Sequence, residues 1–313
     1  MIQTVTGQIS KNEISGNTLI HEHISCVSND MLHAFGKRWL DKDVLIEHCS
    51  KILAIMRKNY GLELMVDGTP LDLGRDAKVL KEVSERSGVK IVASSGLYIY
   101  PSMVTLSNTE EDIAGWFLDE ALNGMENTSI KPGILKCATD NSGISEENER
   151  RIGALGRVQA KSNLPLYIHT LHQEGTVKKA LEILMDRGAN PQKIIIGHLD
   201  DSCDYEYIKK LLDYGCYVSF DRRHYTSDYT ETVAKTLVKL CECGYSKRLL
   251  VSDDCCLYSD FCRDGSKWTR PEDIKDTLAY VFEDLKNAFI KYGGEKSAYD
   301  RITSQNALCI MDV

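Results

Sequence analysis

Four of the eight histidines stand where short apolar runs stop, the placement a metal-dependent reaction would need. His21 and His23 close the run Thr18-Leu19-Ile20. His169 follows Leu166-Tyr167-Ile168, and His198 follows Ile194-Ile195-Ile196-Gly197. In an extended strand alternate side chains share a face, so His21 and His23 point the same way, about 6–7 Å apart, and Glu22 points the other way. Two imidazoles so spaced reach one ion, and imidazole suits zinc, iron, cobalt or nickel. A His-x-His pair alone also fits two hydrogen-bonded or surface histidines. Two further histidines at other strand ends make a metal site the better reading. Asp254 adds a carboxylate just past Arg248–Val251, and Asp253 beside it should face the opposite side. Lys136 follows Ile130–Leu135, where burial would lower its pKa. A neutral lysine amine can take up carbon dioxide as a carbamate whose two oxygens could bridge two metals; the alternative is an ordinary buried or salt-bridged lysine. His33 and His48 read as surface or packing residues, and His172 and His224 as loop residues beside a pocket.

Positioning such groups takes a particular architecture. Eight short, near-continuously apolar runs read as buried parallel strands: Thr18–Ile20, Leu62–Val66, Val89–Ala93, Ile130–Leu135, Leu164–Ile168, Lys193–Ile196, Cys216–Phe220 and Arg248–Val251. Between them lie amphipathic stretches such as Val44–Met56, Gly74–Ser87, Ile113–Asn123, Glu146–Ser162, Gly175–Arg187, Asp204–Tyr214 and Thr230–Gly244. After the last run, Pro271–Tyr292 reads as one strong helix with proline near its start. Gly88, Gly188 and Gly244 each follow a helical stretch, where a left-handed cap is wanted. Strand–helix alternation repeated eight times in 313 residues favours a closed (β/α)₈ TIM barrel in a single domain, residues 1–17 leading into the first strand. In that fold the strand ends converge on one rim, which carries the active site. The ionisable groups at nearly every strand end are hard to explain as packing.

Composition bounds the alternatives. Hydrophobic residues are 42% and charged residues 27% of the chain, a globular balance. A net charge of −8 without clustered Lys or Arg excludes a nucleic-acid footprint. No apolar run approaches the ~20 residues that span a bilayer, and the first residues lack a signal-peptide pattern. The expectation is a cytoplasmic chain whose 11 cysteines are free thiols. Cys255-Cys256 and Cys241-x-Cys243 lack a second pair at zinc-site spacing. No G-x-G-x-x-G follows a strand, which weakens a dinucleotide-dependent dehydrogenase, and no Ser or Cys nucleophile elbow is apparent.

These segments together resemble a known family. Thr18-Leu19-Ile20-His21-Glu22-His23 resembles the first-strand motif of the phosphotriesterase family in the amidohydrolase superfamily. Gly133-Ile134-Leu135-Lys136 is similar to its carboxylated-lysine strand, and Ile168-His169-Thr170, Ile196-Gly197-His198 and Val251-Ser252-Asp253-Asp254 to its remaining ligand motifs. Gly74-Arg75-Asp76, Ser95-Gly96-Leu97-Tyr98-Ile99-Tyr100 and Phe220-Asp221-Arg222 resemble the phosphotriesterase-like lactonases within it. The resemblance implies two divalent ions, zinc first, with manganese, cobalt or iron as alternatives. They would be held by His21, His23, His169, His198 and Asp254 and bridged by N6-carboxylated Lys136. It implies that a hydroxide shared by the ions attacks a lactone carbonyl, and that Asp254 takes its proton. It places Tyr98 over the metal pair and Arg222 in the active site, and it implies a homodimer. The loops after strands seven and eight set the substrate: Arg222, Arg223 and His224 in the first, and Arg263, Lys267 and Arg270 in the second, could bind a phosphate or be solvated charges. Sugar lactones, phosphorylated sugar lactones and acyl-homoserine lactones stay open. So do phosphotriester hydrolysis and a barrel that binds without catalysing.

Overall fold

The computed structural model describes residues 1–313 apart from 140–142, 172–173, 224–225, 227 and 263–266. Its strands are β1 (Ile2–Thr4), β2 (Gly7–Ile9), β3 (Asn17–Glu22), β4 (Leu62–Asp67), β5 (Lys90–Gly96), β6 (Ile134–Ala138), β7 (Leu166–His169), β8 (Ile194–Ile196), β9 (Tyr217–Phe220) and β10 (Leu249–Val251). Strands β3 to β10 pair in chain order, every pair parallel. The helices that follow them cover the outside: α1 (Asn29–Phe35) and α2 (Lys42–Tyr60), α3 (Ala77–Ser87), α4 (Met103–Ser107) and α5 (Glu110–Asn123), α6 (Glu146–Ser162), α7 (Glu174–Asp186), α8 (Tyr205–Asp213), α9 (Tyr229–Glu242), and then α10 (Asp284–Lys291), α11 (Lys296–Asp300) and α12 (Asn306–Met311). This is the TIM barrel expected from the eight strand–helix repeats.

Each helix has local reasons to form. In α6, Ser145 caps the start by accepting from the Asn148 amide at 3.1 Å, and Glu146, Glu147 and Glu149 favour the positive end of the helix dipole. Its inner face buries Ile152, Leu155 and Val158, each worth about 1.5–3 kcal/mol, and Asn163 ends it in the left-handed region. Gly88, Gly188 and Gly244 end helices in that region too, with φ of +74°, +89° and +89°.

One expected element is different. Pro271–Tyr292 is not a continuous helix. It runs as a 3₁₀ segment at Pro271–Asp276, a second at Tyr280–Phe282, and then α10, broken at Thr277 (φ −132°, ψ −112°). Leu278, Ala279, Tyr280 and Val281 are all buried. Four consecutive residues span more than one face of an α-helix, so burying all of them requires a different backbone. The residues ahead of the first barrel strand also form an element: β1 and β2 make an antiparallel hairpin against the N-terminal ends of the strands, where the Val5 amide donates to Ile91 O.

Two layers of side chains fix the barrel. Ile20, Leu64, Val66, Val92, Ile134, Tyr167, Ile195, Tyr217 and Leu250 fill its interior, while Leu19, Met65, Ile91, Leu135, Ile168 and Val218 pack beneath the helices. Strand alternation then carries Lys136 inward from Ile134 and His169 inward from Tyr167. The seam between β3 and β10 is closed beyond their ends by backbone bonds: Asp254 N to His21 O, His23 N to Cys255 O, Leu257 N to His23 O and Cys26 N to Tyr258 O.

Candidate metal centre and active site

By alternation from Ile20, His21 should face the helices. The β3–β4 register instead shifts by one residue between Leu19 and Glu22, a bulge that turns His21 and His23 into the barrel. Glu22 is buried on the opposite side, where its carboxylate accepts from Ser252 Oγ (2.7 Å), Asp253 N (2.9 Å) and Cys255 N (2.7 Å). It thereby locks the first strand to the last one. His198 and Asp254 reach the same space from left-handed backbone, with φ of +63° and +52°. Such conformations cost non-glycine residues on the order of 1–3 kcal/mol, and they cluster where function holds them.

The six expected ligands meet as one chain of contacts. Lys136 Nζ lies 2.6 Å from His21 Nε2, and His21 Nε2 lies 3.5 Å from Asp254 Oδ1. Asp254 Oδ1 lies 3.0 Å from His23 Nε2, and Oδ2 lies 3.8 Å from His198 Nε2. His198 Nε2 is 2.8 Å from His169 Nδ1. All of these residues except Asp254 are buried. Asp253 turns away from the cluster, as alternation requires, and its Oδ1 has no hydrogen-bond partner among the described residues.

The electrostatics suit cations. Burial, with help from Lys136, pushes His21 down to about 3, and burial with His198 pushes His169 well below its ordinary value, so both rings are neutral and offer lone pairs. Burial also brings Lys136 down to about 8. Burial opposes ionisation of Asp254, but His21, His23 and His198 outweigh it and hold the carboxyl well below the usual range. His23 goes the other way: burial opposes its charge, yet Cys26 and Asp254 raise it well above its ordinary value. A cation would take the place of that proton. Neutral imidazoles, a carboxylate and an amine of lowered pKa around one point fit divalent metal ions.

Among the described residues, two groups of three have ligand atoms close enough to hold an ion: His21, His23 and Asp254, and His21, His198 and Asp221. The second group is better read as support. Asp221 is fully buried and sits behind the imidazoles, 3.3 Å from His21 Nδ1 and 2.9 Å from His198 Nδ1. It also accepts from the His198 amide at 2.9 Å and from the Tyr167 hydroxyl. A carboxylate there holds the backbone that carries the His198 ring, and it fixes the His21 tautomer with Nε2 aimed at the cavity. Thr69 Oγ1 does the same for His23, 2.8 Å from Nδ1. Sequence reasoning named Asp221 only within Phe220-Asp221-Arg222 and gave it no role. Its signal was alternation along β9, which points it inward with Tyr217.

A cavity of about 430 Å³ opens over the cluster, lined by His21, His23, Lys136, His169 and Asp254 below, and by Tyr98, Leu73, Tyr100, Phe261, Ser259, Cys26 and Cys256 around the walls. Tyr98 is held at both ends. Its amide donates to Asp72 at 2.8 Å, and its hydroxyl lies 3.0 Å from His169 Nε2. Arg222 Nη2 lies 3.1 Å from the same ring nitrogen, and Nη1 pairs with Asp201 at 3.0 Å. Other expected residues lie elsewhere. The Arg223 guanidinium stacks over the Tyr280 ring at 4.2 Å and donates to Asp276 O. Lys267 sits 5.3 Å from the Trp39 ring, and Arg270 pairs with Glu272 and Asp273. Arg75 is buried between Glu120 and Glu126, away from the cavity. His33 is exposed, and His48 Nε2 contacts Thr269 O at 2.7 Å. His224, Arg263 and His172 lie outside the described residues.

Known proteins are similar to this chain over most of its length. The profile of the Phosphotriesterase family matches residues 1–290. An Aryldialkylphosphatase of Saccharolobus solfataricus is 29% identical over 284 residues, covering 89% of each chain. A Phosphotriesterase homology protein of Mycobacterium tuberculosis is 27% identical over 273 residues, 83% of this chain and 82% of its own. A human N-acetyltaurine hydrolase is 26% identical over 249 residues, 70% and 71%. A profile that matches nine-tenths of the sequence decides the matter: this chain belongs to the phosphotriesterase family, and it is a metal-dependent hydrolase.

Proposed function

We propose that this chain is a lactonase that opens an uncharged lactone, and that His21, His23, His169, His198 and Asp254, with Lys136 as a carbamate, would hold two divalent ions. Ions bound there would supply Lewis acidity towards the carbonyl oxygen and would make water acidic enough to attack near neutral pH. Asp254, ionised and central to the cluster, accepts the proton from the attacking water and passes it to the ring oxygen as the acyl–oxygen bond breaks. Water is added across that bond, giving a hydroxy acid without a covalent enzyme intermediate. Burial pushes the Tyr98 phenol up, so it stays protonated, with its hydroxyl beside His169 Nε2 at the cavity wall. Arg222, tied to Asp201, steadies His169 from the same side.

The observation that carries this reading is the placement of the Tyr98 hydroxyl over the ligand cluster, in a cavity whose walls add Leu73, Tyr100 and Phe261. Among the described residues, none of the cations of the loops after β9 and β10 lines that cavity, which favours an uncharged substrate over a phosphorylated one. The similarity to an aryldialkylphosphatase supports a second reading, in which the same groups hydrolyse a phosphotriester. A panel of alkyl lactones, a phosphorylated sugar lactone, an aryl dialkyl phosphate and an N-acetyl amide, run on metal-loaded and metal-stripped protein, separates these. The expected result is the highest kcat/KM on alkyl lactones, and none after stripping. Faster turnover of the phosphotriester would establish the second reading, and full activity without metal would end both.

A further inference from the structure

Two thiols in the cavity wall have no part in hydrolysis. Cys26 follows the His21–His23 segment, and Cys256 follows Asp254. Their sulfurs lie 3.5 Å apart, and both line the cavity. Their backbones are held in place by the ladder that closes the barrel seam. His23 pairs with Cys256, Cys26 pairs with Ser259, the Cys26 amide donates to Tyr258 O at 2.9 Å, and the Asp260 amide donates to Cys26 O at 3.1 Å. Of the other cysteines, Cys243 and Cys309 are exposed and Cys49, Cys137 and Cys216 are buried.

We propose that Cys26 and Cys256 are a modification site, a reversible dithiol–disulfide pair that lowers turnover when a peroxide oxidises it. Both sulfurs face the cavity that the oxidant enters. One sulfur attacks hydrogen peroxide, the O–O bond breaks, and a sulfenic acid and one water form. The other sulfur displaces the sulfenic oxygen, which leaves as a second water. The S–S bond forms, both thiol protons end in water, and the peroxide is reduced. A dithiol reductant reverses the change by two exchanges and leaves as its own disulfide.

The effect on the site follows from distance. A disulfide holds its sulfurs about 2.05 Å apart, so closing this pair draws them together by about 1.5 Å. Cys26 is three residues from His23, and Cys256 is two from Asp254. These ligands share one contact, at 3.0 Å. A shift of about 1 Å in catalytic groups costs on the order of a hundredfold in rate.

The test uses the metal-loaded full chain and hydrogen peroxide. The expected result is loss of two of the eleven thiols in a denaturing titration and a Cys26–Cys256 linked peptide by mass spectrometry. The rate on the best substrate of the panel should fall at least tenfold and return with dithiothreitol. Cys26→Ser and Cys256→Ser, each compared with its own untreated rate, should lose the response. A C243S/C309S double variant should keep it. Absence of the linked peptide, or its presence with an unchanged rate, overturns the proposal. The thiol and peptide readouts need no substrate, so they stand apart from the lactonase reading.

Discussion

Gly68 offers a severe test of the site geometry, because it carries no chemistry of its own. It follows Asp67 at the end of β4, and its amide donates to Glu22 O at 2.8 Å. A Cβ built there would lie 2.5 Å from His21 Cδ2, 3.0 Å from His21 Nε2 and 3.3 Å from His23 Cε1. Carbon atoms pack comfortably at about 3.5–4.0 Å, so the His21 ring must retreat by roughly 1 Å. It has little room: Tyr167 packs 4.3 Å from it, Lys136 touches it, and Asp221 holds its far nitrogen. Gly68 is absent from the positive-φ positions, so alanine adds no backbone strain and the whole effect passes through the two imidazoles. A misplacement of about 1 Å costs on the order of a hundredfold in rate, or ~2.7 kcal/mol of transition-state stabilisation. Gly68→Ala should therefore lower kcat/KM about a hundredfold and weaken metal retention during dialysis while its far-UV circular dichroism stays native. A variant with metal content and kcat/KM within about twofold of the parent would refute the convergence of His21 and His23 on one ion.

Other perturbations probe different parts of the arrangement. Asp221→Asn should keep the fold but weaken metal binding about 10–100-fold, read by chelator competition, because it removes the carboxylate that orients the His21 ring and lies beside the His198 ring. Metal affinity should rise between pH 6 and pH 8. His23 is held protonated above its ordinary value and Lys136 sits at about 8, so protons compete with the ions and the competition fades as pH rises; a flat profile would contradict that competition. Arg75→Met should cost about 3 kcal/mol in denaturant unfolding, because it strands the Glu120 and Glu126 carboxylates, and leave the metal content of the folded protein intact. Tyr98→Phe should lower kcat on the best lactone with metal content unchanged, since it removes a donor and no ligand.

The strand–helix alternation and the six candidate ligands were legible because each strand is a short apolar run that ends in an ionisable group. Periodicity sees both features, and the resemblance joined them. Lys136 and His169 needed nothing more, since plain alternation from Ile134 and Tyr167 turns them inward. The Pro271–Tyr292 segment misled because its residues have helical propensity, while the burial of four in a row is a tertiary demand. Asp221 went unassigned because a carboxylate beside an arginine at a strand end looks the same in sequence whether it holds an ion or the rings that hold it.

From its sequence alone, this protein's architecture was legible and its candidate ligands could be named, because hydrophobic periodicity and residue type are local properties of the chain. Which way those ligands face was decided only in three dimensions. A one-residue slip in β3 turns His21 and His23 into the barrel, and left-handed backbone at His198 and Asp254 brings them to meet there. Contacts from strands far apart in sequence stabilise these unfavourable conformations: Glu22 across the seam and Asp221 beneath the rings. The same closure set Cys26 beside Cys256, a pair separated by most of the chain that no spacing rule connects.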